Sequence, residues 1–344
     1  MTLCAAWIRE VGETKELIFA TDSTLTGGEK WNHGVKLFEL PRKDCLLCFA
    51  GETYRAYPLV LNLTTAIKHN ERLQNPRLDI AEVLYSIAEI FTELVRSIFN
   101  KPTGYSDPIG GEAKFLFGGW SWRDNKFKIW RLTYSADLEG FIYVEETQAS
   151  RSRVCVFLGD LDDSSKRIAD IALQRYKAEF TREDKFDDRL NMEPLTVLID
   201  MSRDTGVYEV DGALQIGKVY QSGNSEFFGV MWPSVGGSPY FLGKKYPKHT
   251  KPKVGYYDPD TCELIDELLP KSLVNLDDFG NSEDFDFLQT CYSQEGHFLK
   301  LTISEQERDR LIGIFREHSY RTFKESAEAN TELNGFQSLP EDEQ

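Results

Sequence analysis

Short apolar runs separated by Gly, Asp and Asn turns open the chain, and their period of two predicts strands over 2–8, 17–22, 34–40 and 46–50. The turn VGETK joins the first pair and a loop at Gly27 and Gly28 follows the second, so two hairpins come from the spacing alone. The period then becomes helical. One helix is expected over 51–73, and a second carries Ile80, Val83, Leu84, Ile87, Ile90, Phe91, Leu94, Val95, Ile98 and Phe99 on one face. Asp79 opens that second helix, with Glu82 three residues on as a capping box. Strands return over 114–117, 126–132, 140–144 and 153–158. Helices over 164–178 and 194–204 and a strand over 213–220 complete an α+β order that interleaves two hairpin sheets with two helix pairs.

Beyond residue 222 the texture changes to aromatic segments punctuated by Gly and Pro, such as MWPSVGGSPYFLG, then an acidic loop, DDFGNSEDFDF. One further helix is predicted from Ser304, with Glu307 as its capping partner. The expected organisation is a domain over 1–222, a packed C-terminal extension over 223–324 and a disordered acidic tail over 325–344. No internal repeat is visible.

Composition narrows the function classes. The chain has 344 residues, 41% of them hydrophobic and 28% charged, with a formal net charge of −16, which describes a globular protein with no dominant basic face. Nucleic acid and anionic membranes are therefore not expected partners. The longest apolar stretches, such as 45–50 and 154–158, fall far short of the roughly 18 residues a membrane span needs, and the opening MTLCAAWIRE lacks the features of a secretory signal. A cytoplasmic location is expected. Six scattered cysteines read as reduced thiols, and Cys45 and Cys48 lie three apart in an apolar strand, on opposite faces, as core residues rather than a metal or redox pair. Five histidines show no ligand spacing, and HExxH, GxSxG, the P-loop and GxGxxG are all missing, so no metal and no organic cofactor are expected.

Two features remain. In GVKLFEL, Lys36 shares its face with Phe38 and Leu40, and in LIFATDS, Asp22 shares its face with Ile18 and Ala20. If those faces are buried, each charge needs a partner, and Asp22 with Lys36 is one solution. A solvated Lys at a strand start and an Asp capping a turn is the other. The second feature is Thr2, whose hydroxyl beside its own α-amine would form a self-contained nucleophile and base once Met1 is removed.

The order of MT, then ATDSTLTGG, then GVKLFEL, then CFAGETYRA resembles the opening of proteasome β subunits and their bacterial relatives, the threonine-type N-terminal nucleophile hydrolases. MTLCAA is similar in particular to the start of the Anbu-type bacterial homologues, and the likeness extends through LFGGWSWRDNKFKIWRL, VCVFLGD and VDGALQIGKV to about residue 222. The resemblance implies a four-layer αββα sandwich with a C-terminal extension. It matches Thr2 to the nucleophile, Asp22 and Lys36 to the charged pair beside it, and Gly51 to the backbone N–H of the oxyanion hole. Leu25 and Phe49 fall where the family lines its specificity pocket; both are apolar, which implies an uncharged residue before the scissile bond. Asp204 aligns with a supporting aspartate only if three residues are inserted, Asp160 stands where the family has a serine, and Val210 where it has another. The implied activity is a cofactor-free threonine peptidase acting on peptides or proteins, assembled as a homo-oligomer, with an ATPase or other partner left open. A non-proteolytic amidase of the same fold and a weakly active or inactive scaffold are the alternatives, and a Cys4 nucleophile would require trimming three residues.

Overall fold

A computed structural model describes residues 2–11, 14–27, 29–98, 113–147, 154–159, 168–180, 190–207, 209–247, 250–265, 274, 276–280, 284–294, 298–300 and 303–335. It is a mixed helix and sheet structure. The elements of the first part are β1 (Leu3–Val11), β2 (Thr14–Thr21), β3 (Leu25–Gly27), β4 (Glu29–Trp31), β5 (Leu37–Glu39), β6 (Cys45–Gly51), α1 (Thr53–Lys68), α2 (Glu71–Gln74) and α3 (Ile80–Arg96). They are followed by β7 (Ala113–Ser121), β8 (Lys126–Ser135), β9 (Gly140–Glu145), β10 (Cys155–Gly159), α4 (Ile168–Phe180), α5 (Glu193–Arg203) and β11 (Gln215–Tyr220). Then come β12 (Ser225–Trp232), β13 (Ser238–Phe241), β14 (Lys244–Lys245), β15 (Tyr256–Asp258), β16 (Glu263–Leu264), α6 (Phe285–Cys291) and α7 (Glu305–Gly335).

The strands form two main sheets. One runs β10-β1-β2-β11-β12-β13-β14, with β15 joining β12 in parallel and β16 pairing β15; the other runs β5-β6-β7-β8-β9. The ribbon β3-β4 stands apart from both. Residue 222 lies in the turn between the paired strands β11 and β12, so the chain beyond it continues the larger sheet.

The central strands lack clean alternation because both of their faces are buried. In β1, Leu3, Ala5 and Trp7 pack with Ile18, Ala20 and Ile216 against Ala172 of α4 and Leu195, Leu198 and Ile199 of α5, while Cys4 and Ala6 face the other way. There they meet Leu46, Cys48 and Ala50 of β6 and Leu116 of β7, which close the gap between the two sheets. The far side of β6 (Cys45, Leu47, Phe49) packs against α1 and α3 through Leu59, Leu63, Ile80, Val83, Ile87 and Phe91. Each fully buried Leu, Ile, Val or Phe side chain among these contributes roughly 1.5–3 kcal/mol of transfer free energy.

Several boundaries differ from the pattern-based expectation. The helix expected over 51–73 is interrupted, because the Asn70 side chain accepts from the N–H groups of Arg72 (3.0 Å) and Leu73 (3.2 Å) and starts α2 afresh. Gly51 ends β6, paired with Ala113, and α1 begins two residues later. Asp79 caps α3 through the Ala81 N–H at 3.0 Å, but Glu82 forms an ion pair with Arg123 at 3.1 Å instead of closing the box. The strand expected over 34–40 shortens to β5, with Lys36 just ahead of it.

The chain divides into two units, Met1–Pro270 and Lys271–Gln344. In the second, Leu276, Phe279, Leu288, Cys291, Leu311 and Ile314 form a small core from which α6 and α7 depart. The capping box of α7 is complete: Glu307 N–H donates to Ser304 Oγ at 3.3 Å, and Ser304 N–H donates to Glu307 Oε2 at 3.0 Å. The backbone of α7 runs on to Gly335, and 336–344 of the expected tail lie outside the described residues.

Candidate functional site

Asp22 follows directly on β2 and Lys36 directly precedes β5, so each charge sits where a ladder ends and its side chain can turn inward. Lys36 Nζ donates to both carboxylate oxygens of Asp22, at 3.0 and 2.9 Å, and both side chains are 0% exposed. The carboxylate is then saturated by two backbone donors, the N–H of Leu3 on Oδ1 at 3.0 Å and the N–H of Thr24 on Oδ2 at 3.1 Å. Of the two readings open at the sequence level, the paired one is observed.

The Leu3 bond fixes where this pair stands. It ties the ion pair to the peptide group that joins Thr2 to Leu3, so the buried charges are anchored to the nearest backbone bond of the candidate nucleophile. Thr2 itself is 2% exposed, and Met1 lies outside the described residues. Removing either partner of a fully buried pair costs about 3–5 kcal/mol, whereas well-packed apolar residues in its place are often neutral or better. A buried pair is thus weak evidence of a stabilising role.

The segment after Asp22 is stitched down on all sides. Ser23 N–H donates to Asp211 O at 3.2 Å, Ser23 Oγ to Asn32 O at 2.9 Å, and Thr24 Oγ1 to Asn32 Oδ1 at 2.9 Å. Asp211 also holds Lys30 at 2.6 Å; burial pushes its carboxyl up, but Lys30, the Gly212 N–H and Asn32 outweigh burial and leave it below the ordinary range. His33 Nδ1 lies 2.8 Å from Gly243 O, in the turn between β13 and β14. Gly243 has φ +75°, and a Cβ there would come within 2.4 Å of the Ser23 Cβ, so only glycine lets this turn rest on the segment after Asp22.

Gln215 is a participant that the sequence reading did not single out. Its Oε1 accepts from the N–H groups of Lys36 (3.0 Å) and Leu37 (3.1 Å), and its Nε2 donates to Gly34 O (2.6 Å) and, at 3.5 Å, to Asp22 O. The available signal was its parity. In ALQIGKVY, Leu214 and Ile216 take one buried face, and Gln215 shares the opposite face with Gly217 and Val219, where an amide needs partners.

The other expected site residues are placed as follows. Gly51 has φ +111°, a region that favours glycine. Leu25 is half-buried and lies over Gly34, where a Cβ would come within 2.3 Å of it. Phe49 is wholly buried with its ring among Phe38, Tyr57 and Phe115 at centroid distances of 6.0, 5.6 and 6.5 Å, on the helix side of its sheet. Asp204 ends α5 and is not brought to the pair: Arg175 and the Gly206 N–H take its carboxylate and lower its pKa. Among the described residues it makes no hydrogen bond to Thr2, Asp22 or Lys36. Val210 is buried in the core against α4 and α5, and Asp160 lies outside the described residues.

Three of the thiols belong to β1 and β6. Cys4 is buried and donates to Phe49 O at 3.0 Å, while burial pushes Cys45 and Cys48 well up, and these two belong to cores on opposite faces of β6. Among the described residues no group of three His, Cys, Asp or Glu side chains is placed to hold a metal ion, and no helix is long and apolar enough to cross a membrane.

No family model and no curated protein sequence matches the chain. Among solved structures it is similar to the Anbu complex from Pseudomonas aeruginosa, described as a helical assembly, at 14% identity over 62% of this chain and 79% of that one, with a TM-score of 0.43. It is likewise similar to Anbu (ancestral beta-subunit) from Yersinia bercovieri, at 14% identity over 65% and 86% with a TM-score of 0.45. A third is an Anbu (Gly-1) mutant from Hyphomicrobium sp. strain MC1, at 14% identity over 66% and 86% with a TM-score of 0.41.

Proposed function

We propose that this chain is a threonine-type peptidase of the N-terminal nucleophile kind, built as a four-layer αββα sandwich and active once Met1 is removed. One observation carries the reading: a fully buried Asp22–Lys36 pair bonded to the N–H of Leu3, one peptide from the residue whose hydroxyl and amine would react. In this mechanism Thr2 Oγ attacks the carbonyl of a peptide bond and the α-amine takes its proton. The amine passes that proton to the leaving nitrogen, and the Gly51 N–H receives the oxyanion. Water, activated by the same amine, then releases the acyl group and restores the free hydroxyl. Asp22 pairs with the Lys36 ammonium, whose positive charge favours the neutral amine, the form that accepts a proton. Leu25 supports a neutral residue before the scissile bond. Self-association and a cytoplasmic location belong to the same proposal.

A second reading, an inactive scaffold on the same fold, is favoured by two observations. Thr2 is 2% exposed, and the Asp204 carboxylate is taken by Arg175. Turnover of a panel of fluorogenic peptide amides separates the two. The peptidase reading expects cleavage after neutral residues, falling at least 1,000-fold in Thr2→Ala on the scale of a lost nucleophile. Equal turnover in Thr2→Ala contradicts the mechanism, and no turnover in protein that begins at Thr2 favours the scaffold.

A further inference from the structure

Lys36 and Gln215 cross between the two sheets in opposite senses. Lys36 reaches from the lead-in of β5 to Asp22 at the end of β2, and Gln215 reaches from β11 back to the backbone that carries Lys36. One oxygen of Gln215 accepts two consecutive N–H groups, those of Lys36 and Leu37, and its nitrogen donates to Gly34 O at 2.6 Å. Three of the four residues 34–37 are therefore gripped by a single side chain that is 0% exposed. Leu37 opens β5, whose ladder to β6 starts at the Leu37–Cys48 pair, and Lys36, one residue ahead, is held on its C=O side by the Phe49 N–H at 3.3 Å and on its N–H side by Gln215. The grip is closed from behind: a Cβ at Gly243 would lie 3.3 Å from Gln215 Nε2, so the turn joining β13 to β14 rests against the amide.

We infer that Gln215 is a positioning residue of the proposed reaction, holding residues 34–37 so that Lys36 presents its ammonium to Asp22 and to the Thr2 amine. The inference rests on the peptidase reading above. An alternative is that Gln215 only satisfies buried backbone groups. That alternative needs the bonds but gives Gln215 no influence on the ionisation of the amine.

The distinguishing probe is a peptide epoxyketone ending in leucine. Its ketone is attacked by the Thr2 hydroxyl and its epoxide is opened by the Thr2 α-amine, which closes a ring with no leaving group, so the adduct mass is the simple sum. The labelling rate of the full chain is followed by intact mass across pH for wild type, Gln215→Met, which keeps the length without donor or acceptor, and Gln215→Asn, which keeps the amide but falls short. Hydrogen–deuterium exchange over 34–40 reports release of the grip in each. The expected result is labelling at least tenfold slower in Gln215→Met, with the midpoint of the rate–pH profile moved to higher pH, because a displaced ammonium lowers the amine pKa less. Faster exchange over 34–40 with unchanged rate and midpoint shows a merely structural bond and overturns the inference. If Gln215→Met does not fold, Gln215→Asn decides: a slower rate with a raised midpoint supports the role, and wild-type values overturn it. A wild-type protein beginning at Thr2 that takes no label contradicts the peptidase reading itself and removes the reaction Gln215 would serve. A labelled wild type with unchanged variants sinks the inference alone.

Discussion

Replacing Lys36 with Met keeps the aliphatic stem and removes only the ammonium, which leaves the buried Asp22 carboxylate with just the Leu3 and Thr24 N–H donors. The loss of one partner from a fully buried pair is expected to cost about 3–5 kcal/mol of stability. Adding Asp22→Asn in the same background removes the stranded charge and should recover most of that loss. Activity should not return, since the ammonium is still missing. Urea unfolding beside peptide turnover checks this: a double variant that regains activity would make the pair structural. At this scale much of the site was legible, because a charge within an apolar strand needs a partner and only a few candidates exist. Gln215 was not, because an amide in a strand reads equally well as a solvated edge position until its face is known to be buried. Phe49 shows the opposite limit. Its apolar character was evident, but which face of β6 it occupies depends on register, and its ring lies on the helix side, where Phe38, Tyr57 and Phe115 surround it.

Among the elements, α7 carries the clearest electrostatic signature. Lys300 and the Ser304 N–H and hydroxyl hold the Glu307 carboxyl down to about 2, against an ordinary value of 4.5. A depressed folded-state pKa stabilises wherever the carboxylate is ionised, so the contribution is fully present above about pH 4.5 and is lost as pH falls through 2. Hydrogen exchange in the first turn of α7 should therefore speed up relative to the rest of the helix between those limits, and Glu307→Gln should remove the pH dependence. A first turn whose protection is the same at pH 5 and pH 2.5 would refute this. This capping box was readable because its two residues lie three apart in sequence. The box at Asp79 was only half readable. Glu82 found a better partner in Arg123, forty-one residues away, and no local spacing encodes that competition. The same reason explains the break between α1 and α2: apolar periodicity continues through it, while Asn70 offers the backbone a local alternative.

For the whole molecule, the site depends on how the two sheets meet. Asp22 comes from one sheet and Lys36 from the lead-in to the other, and β12 to β16 extend the larger sheet so that β11, which carries Gln215, is an interior strand. Up to residue 220 the order of the longer strands and helices followed from hydrophobic period, whereas the short β3 and β4 and the strands β12 to β16 did not, and which strands pair and which faces oppose each other are long-range choices made by packing. The central claim is that Thr2, freed of Met1, is a nucleophile activated by this buried pair. Intact mass of the purified protein before and after reaction with the leucine-ended peptide epoxyketone tests it most directly. The account predicts a chain lacking Met1 that gains a single adduct, with no adduct in Thr2→Ala or Lys36→Met. Full retention of Met1 in protein that cleaves peptides, or an adduct that persists in Thr2→Ala, would contradict it.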